Sequence, residues 1–294
     1  MKVIRSKVIG YCFGVSNTIE KAQQCIELSK TMGKPCYSIG SIIHNKDVVK
    51  RFQDLGMVTT TKAEGFEPGL ALIRAHGIPD SLRRSYTKAG FTLVDSTCPI
   101  VAKGAVTLRN AASKGIRTII IGVKGHAETE GLQGVETDEG KVVDSILLCS
   151  TDDARSLIES KSLSENEKIV VVVQTTFPDS EFQKIREVLK LYFKDIRFSN
   201  APCGATAKRQ KAAKELASLC DAVVVIGGRE SENTKVLAKV VGQSKKTVFC
   251  IENADDITPE MKKDLSSFST VGICSGSSTP TSAIRKVEEI LEGI

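Results

Sequence analysis

The chain lacks the features that would place it in a membrane, in a secretory route or on nucleic acid. Its longest aliphatic stretches, such as Ile169 to Val173 and Val223 to Ile226, fall far short of the ~20 residues a membrane-spanning helix needs. Met1 to Lys7 interleaves charged with apolar residues, and no apolar core with a small-residue cleavage site follows. No signal peptide is therefore expected, and the chain reads as cytoplasmic. Aromatic residues make up only 5%, and Lys and Arg are scattered rather than gathered in a run with stacking residues. That scatter weighs against a nucleic acid, and the net charge of +6 fits a small polyanionic substrate equally well. No cysteine or histidine pair has the local Cys-x2-4-Cys or His-x3-5-His spacing of a common zinc site.

What is present in number is cysteine. Nine cysteines in 294 residues, an odd count without a secretory signal, argue against a disulfide framework and for reduced thiols, some of them metal ligands. The remaining composition, 41% hydrophobic and 26% charged, is that of a globular chain able to bury a core.

Short β-branched runs alternate with stretches of helical spacing throughout, which indicates an α/β fold with largely parallel sheets. Val3 to Ile9 runs into Gly10-Tyr11-Cys12, Phe91 to Val94 into Asp95-Ser96-Thr97-Cys98-Pro99, and Ile196 to Phe198 into Asn200-Ala201-Pro202-Cys203. Helical periodicity follows each cysteine, and Pro99 suits a first helical turn, where its missing N–H would have no partner anyway. Six further strand ends lead into polar loops: Ile43-His44-Asn45, Arg74-Ala75-His76-Gly77, Gly125-His126-Ala127-Glu128, Gln174-Thr175-Thr176, Gly227-Gly228 before Ser231-Glu232-Asn233, and Ser275 to Ser278. The count is nine strand-to-loop units, three in each third of the chain. Boundaries near 97 and 199 give a first α/β domain at 1–97, a second at 98–199 and a third at 200–294. Ligands of parallel sheets bind beyond the carboxyl ends of the strands. Three domains related by pseudo-threefold symmetry would aim all nine loops into a central cavity, whereas a single doubly wound sheet would not.

The chemistry lies in those loops. All three histidines of the chain, His44, His76 and His126, fall in them, and imidazole N–H groups are good partners for phosphate oxygens. Ser231, Asn233 and Ser278 stand at expected helix starts, where backbone N–H groups and the helix dipole favour an anion. Glu128 is the carboxylate best placed to deliver protons, and Thr175 can hydrogen-bond a substrate hydroxyl. Cys12, Cys98 and Cys203, one per third, suit either zinc or a cluster. A 4Fe-4S cluster ordinarily takes four cysteines, so three would leave one open iron to act as a Lewis acid. Cys25, Cys36, Cys149, Cys220, Cys250 and Cys274 read as small core residues, with Cys274 nearest to a polar loop.

Taken together, Gly10-Tyr11-Cys12-Phe13-Gly14-Val15, Ile43-His44-Asn45, Ala75-His76-Gly77, Asp95-Ser96-Thr97-Cys98-Pro99, Gly125-His126-Ala127-Glu128, Gln174-Thr175-Thr176, Cys203-Gly204-Ala205-Thr206 and Ser277-Ser278-Thr279-Pro280 resemble the 4-hydroxy-3-methylbut-2-enyl diphosphate reductase family, also called LytB. The match runs in consistent order from residue 10 to about 280. The resemblance implies a three-domain trefoil-like α/β fold with pseudo-threefold symmetry. It also implies reductive removal of an allylic hydroxyl, the last step of the non-mevalonate isoprenoid pathway. By the same resemblance Cys12, Cys98 and Cys203 hold a 4Fe-4S cluster whose open iron takes the substrate hydroxyl. His44, His76, Ser231, Asn233 and Ser278 would bind the diphosphate. Glu128 would donate a proton, with His126 and Thr175 at the hydroxyl end. A ferredoxin or flavodoxin type protein would supply electrons.

Two positions depart from the family pattern. Glu232 puts a carboxylate between Ser231 and Asn233 and is expected to point outward, and Ala127 stands where proline is common. Other readings are a quinolinate-synthase-like enzyme, which the Gly-His-x-Glu and Gln-Thr-Thr motifs oppose, and a zinc- or cluster-dependent sensor of phosphorylated metabolites.

Overall fold

The computed structural model describes residues 1–244 and 246–294. The chain opens with β1 (Lys2–Arg5) and the helix α1 (Phe13–Met32). It continues through β2 (Cys36–Ile39), α2 (Lys46–Asp54), β3 (Met57–Thr60), β4 (Leu70–Ile73), α3 (Asp80–Lys88) and β5 (Thr92–Asp95). The middle of the chain forms α4 (Pro99–Ala112), β6 (Arg117–Ile121), α5 (Ala127–Gln133), β7 (Ser145–Leu148), α6 (Thr151–Glu159), β8 (Lys168–Val173), α7 (Asp179–Tyr192) and β9 (Asp195–Phe198). The remainder is α8 (Gly204–Leu219), β10 (Ala222–Ile226), α9 (Glu232–Gly242), β11 (Thr247–Ile251), α10 (Pro259–Ser266), β12 (Thr270–Ser275) and α11 (Thr281–Glu292).

Three four-stranded sheets result, with orders β3-β2-β4-β5, β7-β6-β8-β9 and β11-β10-β12-β1, and their strand pairs are parallel. Written from the first strand of each set, all three read second, first, third, fourth. The α/β class and the threefold recurrence expected from the sequence are both present.

Two details differ from the sequence reading. Each sheet has an edge strand, β3, β7 or β11, beyond the nine that were counted. These strands are partly exposed, as are β1, β5 and β9 at the opposite edges. The first strand also leaves its own third of the chain: β1 pairs with β12, Ile4 standing opposite Gly272.

The chain divides into two compact units, one of Met1–Ser16, Ile43–Asp54 and Gly204–Ile294, the other of Asn17–Ile42 and Leu55–Cys203. In the first unit β10 is buried along its whole length. Ala222, Val224 and Ile226 pack with Leu265 of α10 and Ile284, Val287 and Leu291 of α11. Val223 and Val225 face the other way, onto Ala213 and Leu216 of α8 and Leu237 and Val241 of α9. Side chains alternate across a strand, so a strand covered on both faces reads as one apolar run. In the second unit Ile119 and Ile121 of β6 pack with Phe182, Ile185 and Leu189 of α7, while Ile120 meets Leu108 of α4 and Leu132 of α5. Both faces are covered by helices, so polar side chains collect at the strand ends.

The pairing of β1 gives a direct test. Lys2 and Ser6 donate to the carbonyls of Ser269 and Ile273, and by the twofold strand period the Ile4 N–H faces β12 as well. Ile4→Pro removes that donor. Hydrogen exchange is expected to show lost protection at the β12 amides that face β1 and unchanged protection in Leu70–Ile73. Loss in Leu70–Ile73 instead would contradict the assignment.

Candidate active site

Cys12, Cys98 and Cys203 occupy equivalent places. Each follows the fourth strand of a sheet, β1, β5 or β9, and immediately precedes a helix, α1, α4 or α8. Each is partly exposed. Each uses its backbone N–H in the same way: Cys12 donates to Ser277 O (3.3 Å), Cys98 to Ala75 O (3.0 Å) and Cys203 to Thr175 O (2.7 Å). In every case the acceptor lies two residues beyond the third strand of the sheet, after β12, β4 or β8.

The turns before the cysteines are built differently. Asp95 accepts from the Thr97 N–H (2.8 Å) and hydroxyl (2.5 Å), a local turn that delivers Cys98 to the N-cap of α4 with Pro99 in its first turn. Asn200 grips the end of β8, its Oδ1 accepting from Val173 N–H (2.9 Å) and its Nδ2 donating to Val173 O (2.7 Å). Gly10 takes φ +80°, a value L side chains avoid, and its N–H donates to Ser275 Oγ (2.9 Å).

In the first unit the polar loops adjoin one another at the carboxyl ends of β10 and β12. Gly276 N–H donates to Ile226 O (2.8 Å). Gly228 lies so close to the His44 carbonyl that an added Cβ would stand 2.2 Å from that oxygen. Ser231 is buried and caps α9, accepting from Thr234 N–H (3.4 Å). Asn233 and Ser278 are buried too, and the Asn233 side-chain amide nitrogen finds no acceptor among the described residues. Such an unpaired buried donor is costly unless a ligand satisfies it. Glu232 turns to Lys235 (3.0 Å) on the surface of its own helix, as expected of an outward carboxylate.

The second unit holds His76, His126, Glu128 and Thr175 together with Cys98 and Cys203. Glu128 belongs to the first turn of α5 and is only 1% exposed. Its two carboxylate oxygens accept from Thr175 N–H and Thr175 Oγ1, both at 2.7 Å, while Thr175 O receives the Cys203 N–H. Burial pushes the Glu128 carboxyl up to about 7, against the two Thr175 hydrogen bonds, which favour its charged form. His126 caps α5, its Nδ1 accepting from Glu128 N–H (3.2 Å), which leaves its ring proton on Nε2. The His76 and His126 rings meet edge to face, with centroids 5.5 Å apart.

Of the six other cysteines, Cys25, Cys36, Cys220 and Cys274 are buried as expected, but Cys149 is partly exposed and Cys250 is exposed. Cys250 lies in β11 and Cys149 directly follows β7, so both belong to edge strands that have one open side. The sequence reading passed over Arg209 of α8, which is buried, because its neighbours Lys208, Lys211 and Lys214 make that stretch look like a solvated face. It also passed over the close approach of Gly228 to His44, for which the paired glycine at 227 and 228 was the available signal.

The family described as LytB protein matches residues 3–292. The chain belongs to the LytB family. The 4-hydroxy-3-methylbut-2-enyl diphosphate reductase of Thermoanaerobacter sp. (strain X514) is 37% identical over 290 residues, covering 98% of this chain and 95% of the relative. That of Treponema denticola is 34% identical, with full coverage of both. Among solved structures, one titled (E)-4-hydroxy-3-methyl-but-2-enyl diphosphate reductase, the terminal enzyme of the non-mevalonate pathway, matches with TM-score 0.71 and 29% identity over 100% of both chains. The Plasmodium falciparum E-1-hydroxy-2-methyl-but-2-enyl-4-diphosphate reductase has TM-score 0.86 and 24% identity, covering 98% of this chain and 87% of its own, and it supports the fold.

The Thr175 contacts predict the effect of a nearly isosteric change. Thr175→Val removes the hydroxyl that favours the charged carboxylate, so the Glu128 titration midpoint should move further up from about 7. Carbon-13 NMR of labelled glutamate reads this directly, and a midpoint that stays or falls would sink the assignment.

Proposed function

We infer that this chain catalyses the reaction for which its relatives are named, the reduction of (E)-4-hydroxy-3-methylbut-2-enyl diphosphate to isopentenyl and dimethylallyl diphosphate, as an iron-sulfur oxidoreductase. The observation that carries the reading is Glu128: a buried carboxyl, poised near neutrality, is held through both oxygens by the threonine whose carbonyl anchors the Cys203 loop. Reductive dehydroxylation replaces a carbon-bound hydroxyl by hydrogen, consuming two electrons and two protons and releasing water. A group that stays protonated near neutral pH is what the departing hydroxyl needs.

The cysteines fit a thiolate-bound cluster. Among the described residues, four of the eleven α-helices have no acidic residue in their first turn: α1, α4 and α8, which follow the three cysteines, and α11, which follows Ser278. The other seven carry Asp or Glu there. The helix starts beside the three cysteines and after Ser278 are thus free of first-turn carboxylates, while α9 carries Glu232, which pairs with Lys235. Cys12, Cys98 and Cys203 are the proposed ligands of a 4Fe-4S cluster, which when bound would supply electrons and, through an iron left without a cysteine, a Lewis acid for the hydroxyl.

His44, His76, Ser231, Asn233 and Ser278 are proposed to bind the diphosphate. The unpaired amide of Asn233 and the N-terminus of α9 are donors suited to phosphate oxygens. His126, with its proton on Nε2, and Thr175 orient the hydroxyl end. Fixing both ends of so small a substrate orders the reacting atoms, an effect worth up to roughly 7 to 11 kcal/mol of barrier. A ferredoxin or flavodoxin type protein is the proposed electron donor. Among the described residues no helix is long and apolar enough to cross a membrane.

Anaerobic turnover of the allylic diphosphate with a reduced dye tests the activity, and no turnover by iron-loaded protein would refute it. Replacing Cys12, Cys98 or Cys203 by Ser should lower the iron content and abolish turnover, as metal analysis beside the assay will show. A variant with full iron and activity removes that residue from the ligand set. Glu128→Gln should keep iron and substrate binding while losing turnover. In the unaltered enzyme the acid form of Glu128 is depleted above about pH 7, so turnover should fall about tenfold per pH unit there. A profile flat to pH 9 would exclude Glu128 as the acid.

A further inference from the structure

A buried arginine in the first unit has no role in the reaction described so far. Arg209 is 3% exposed and has no carboxylate partner within salt-bridge distance among the described residues. Its Nη2 donates to Gly10 O (2.7 Å) and its Nη1 to Ser275 O (2.8 Å). A cation so deeply buried costs several kcal/mol unless it is well hydrogen-bonded, and here its partners are backbone carbonyls of two different loops. One loop leads to Cys12, and the other leads to Ser278. The same loops are joined by Gly10 N–H to Ser275 Oγ (2.9 Å) and Cys12 N–H to Ser277 O (3.3 Å).

The other cysteine loops show what is particular here. Thr18 follows Cys12 by six residues, as Arg209 follows Cys203, and its Oγ1 donates to Ser96 O at 3.5 Å. Ser96 precedes Cys98 by two residues, as Gly10 precedes Cys12. A residue six positions past one cysteine therefore tethers the loop of the next one. At the third such position stands Gly104, and the Cys203 loop is secured by Asn200 instead. Only the Cys12 tether is charged and two-armed. Burial pushes the Arg209 guanidinium below its ordinary range, while the sulfurs of Cys12 and Cys274 act in the opposite direction.

We propose that Arg209 is a positioning residue that clamps the Cys12 loop to the Ser275–Ser278 loop, so that a cluster ligand and a diphosphate-binding serine are placed as one body. The proposal rests on the reading above, in which Cys12 is a ligand and Ser278 binds the diphosphate. A bidentate guanidinium fixes both direction and distance, whereas an ammonium on a flexible stem satisfies one carbonyl at a time. Loss of the clamp removes the Arg209 bond to the carbonyl of Gly10, whose φ is positive, and loosens the loop that carries Cys12.

The test uses the whole chain as wild type, Arg209→Lys and Arg209→Met. In the metal-free protein, iodoacetamide labelling of Cys12, Cys98 and Cys203 is followed separately by mass spectrometry, so two cysteines serve as internal controls. Arg209→Met should speed labelling of Cys12 roughly tenfold, the scale of one charge-assisted hydrogen bond, and leave the other two unchanged. Arg209→Lys should fall between wild type and Arg209→Met. If the methionine variant does not fold, the lysine variant makes the same comparison against wild type. An unchanged Cys12 rate overturns the proposal, and so does an equal rise at all three cysteines, which marks general loosening. In anaerobically reconstituted protein, the variants should show an altered electron paramagnetic resonance spectrum and a raised KM for the allylic diphosphate. Wild-type values of both would also overturn it. Wild-type protein that takes up no iron refutes the cluster reading itself, and the labelling comparison then still decides whether Arg209 positions Cys12.

Discussion

The hydrogen bond from each candidate cysteine's backbone N–H to the carbonyl two residues past the neighbouring third strand is the contact on which the site is built. A single such bond contributes only about 1 kcal/mol net, but its geometry decides much more. It ties the end of an outer strand to the end of an inner one, which fixes where the next helix starts. The sulfur is thereby placed at the positive end of a helix dipole, beside a polar loop that supplies other functional groups. Ser277, Ala75 and Thr175, the three acceptors, each adjoin or belong to such a loop: Ser278, His76 and Thr175 itself.

Covering both faces of each sheet with helices has an electrostatic consequence. Buried strands such as β10 leave no room for polar side chains along their length, so titratable groups gather where the strands end. There burial becomes a tool. Glu128 is deep enough to be pushed up to about 7, yet it keeps two hydrogen bonds from Thr175, so it is neither an ordinary surface carboxylate nor an orphan. First-turn acidic residues are missing from the four helices that directly follow the three cysteines and Ser278. Charge is thus arranged by helix end rather than by overall net charge.

Much of this was legible in the sequence because it is local. A cysteine between a β-branched run and a helical stretch, a proline one position later, and polar residues after each run are features of neighbouring residues. They located all three cysteine loops and the loops of His44, His76, His126, Thr175, Ser231 and Ser278. The three further strands β3, β7 and β11 were passed over because no loop with a candidate functional residue follows them. Cys149 and Cys250, whose exposure was misjudged, both belong to those edges.

The sequence by itself determined which chemical groups the chain carries and at which strand ends they stand, because turn and helix-start preferences act over a few residues. Only the tertiary structure decided that β1 completes a sheet with β12 from the far end of the chain, that Glu128 is buried against Thr175, and that Arg209 reaches Gly10 and Ser275. Each of these depends on burial and on hydrogen-bond partners distant in sequence, which no local pattern encodes. The three cysteine loops show both sides of that division. Their positions follow from neighbouring residues, and the contacts that hold them follow from the fold.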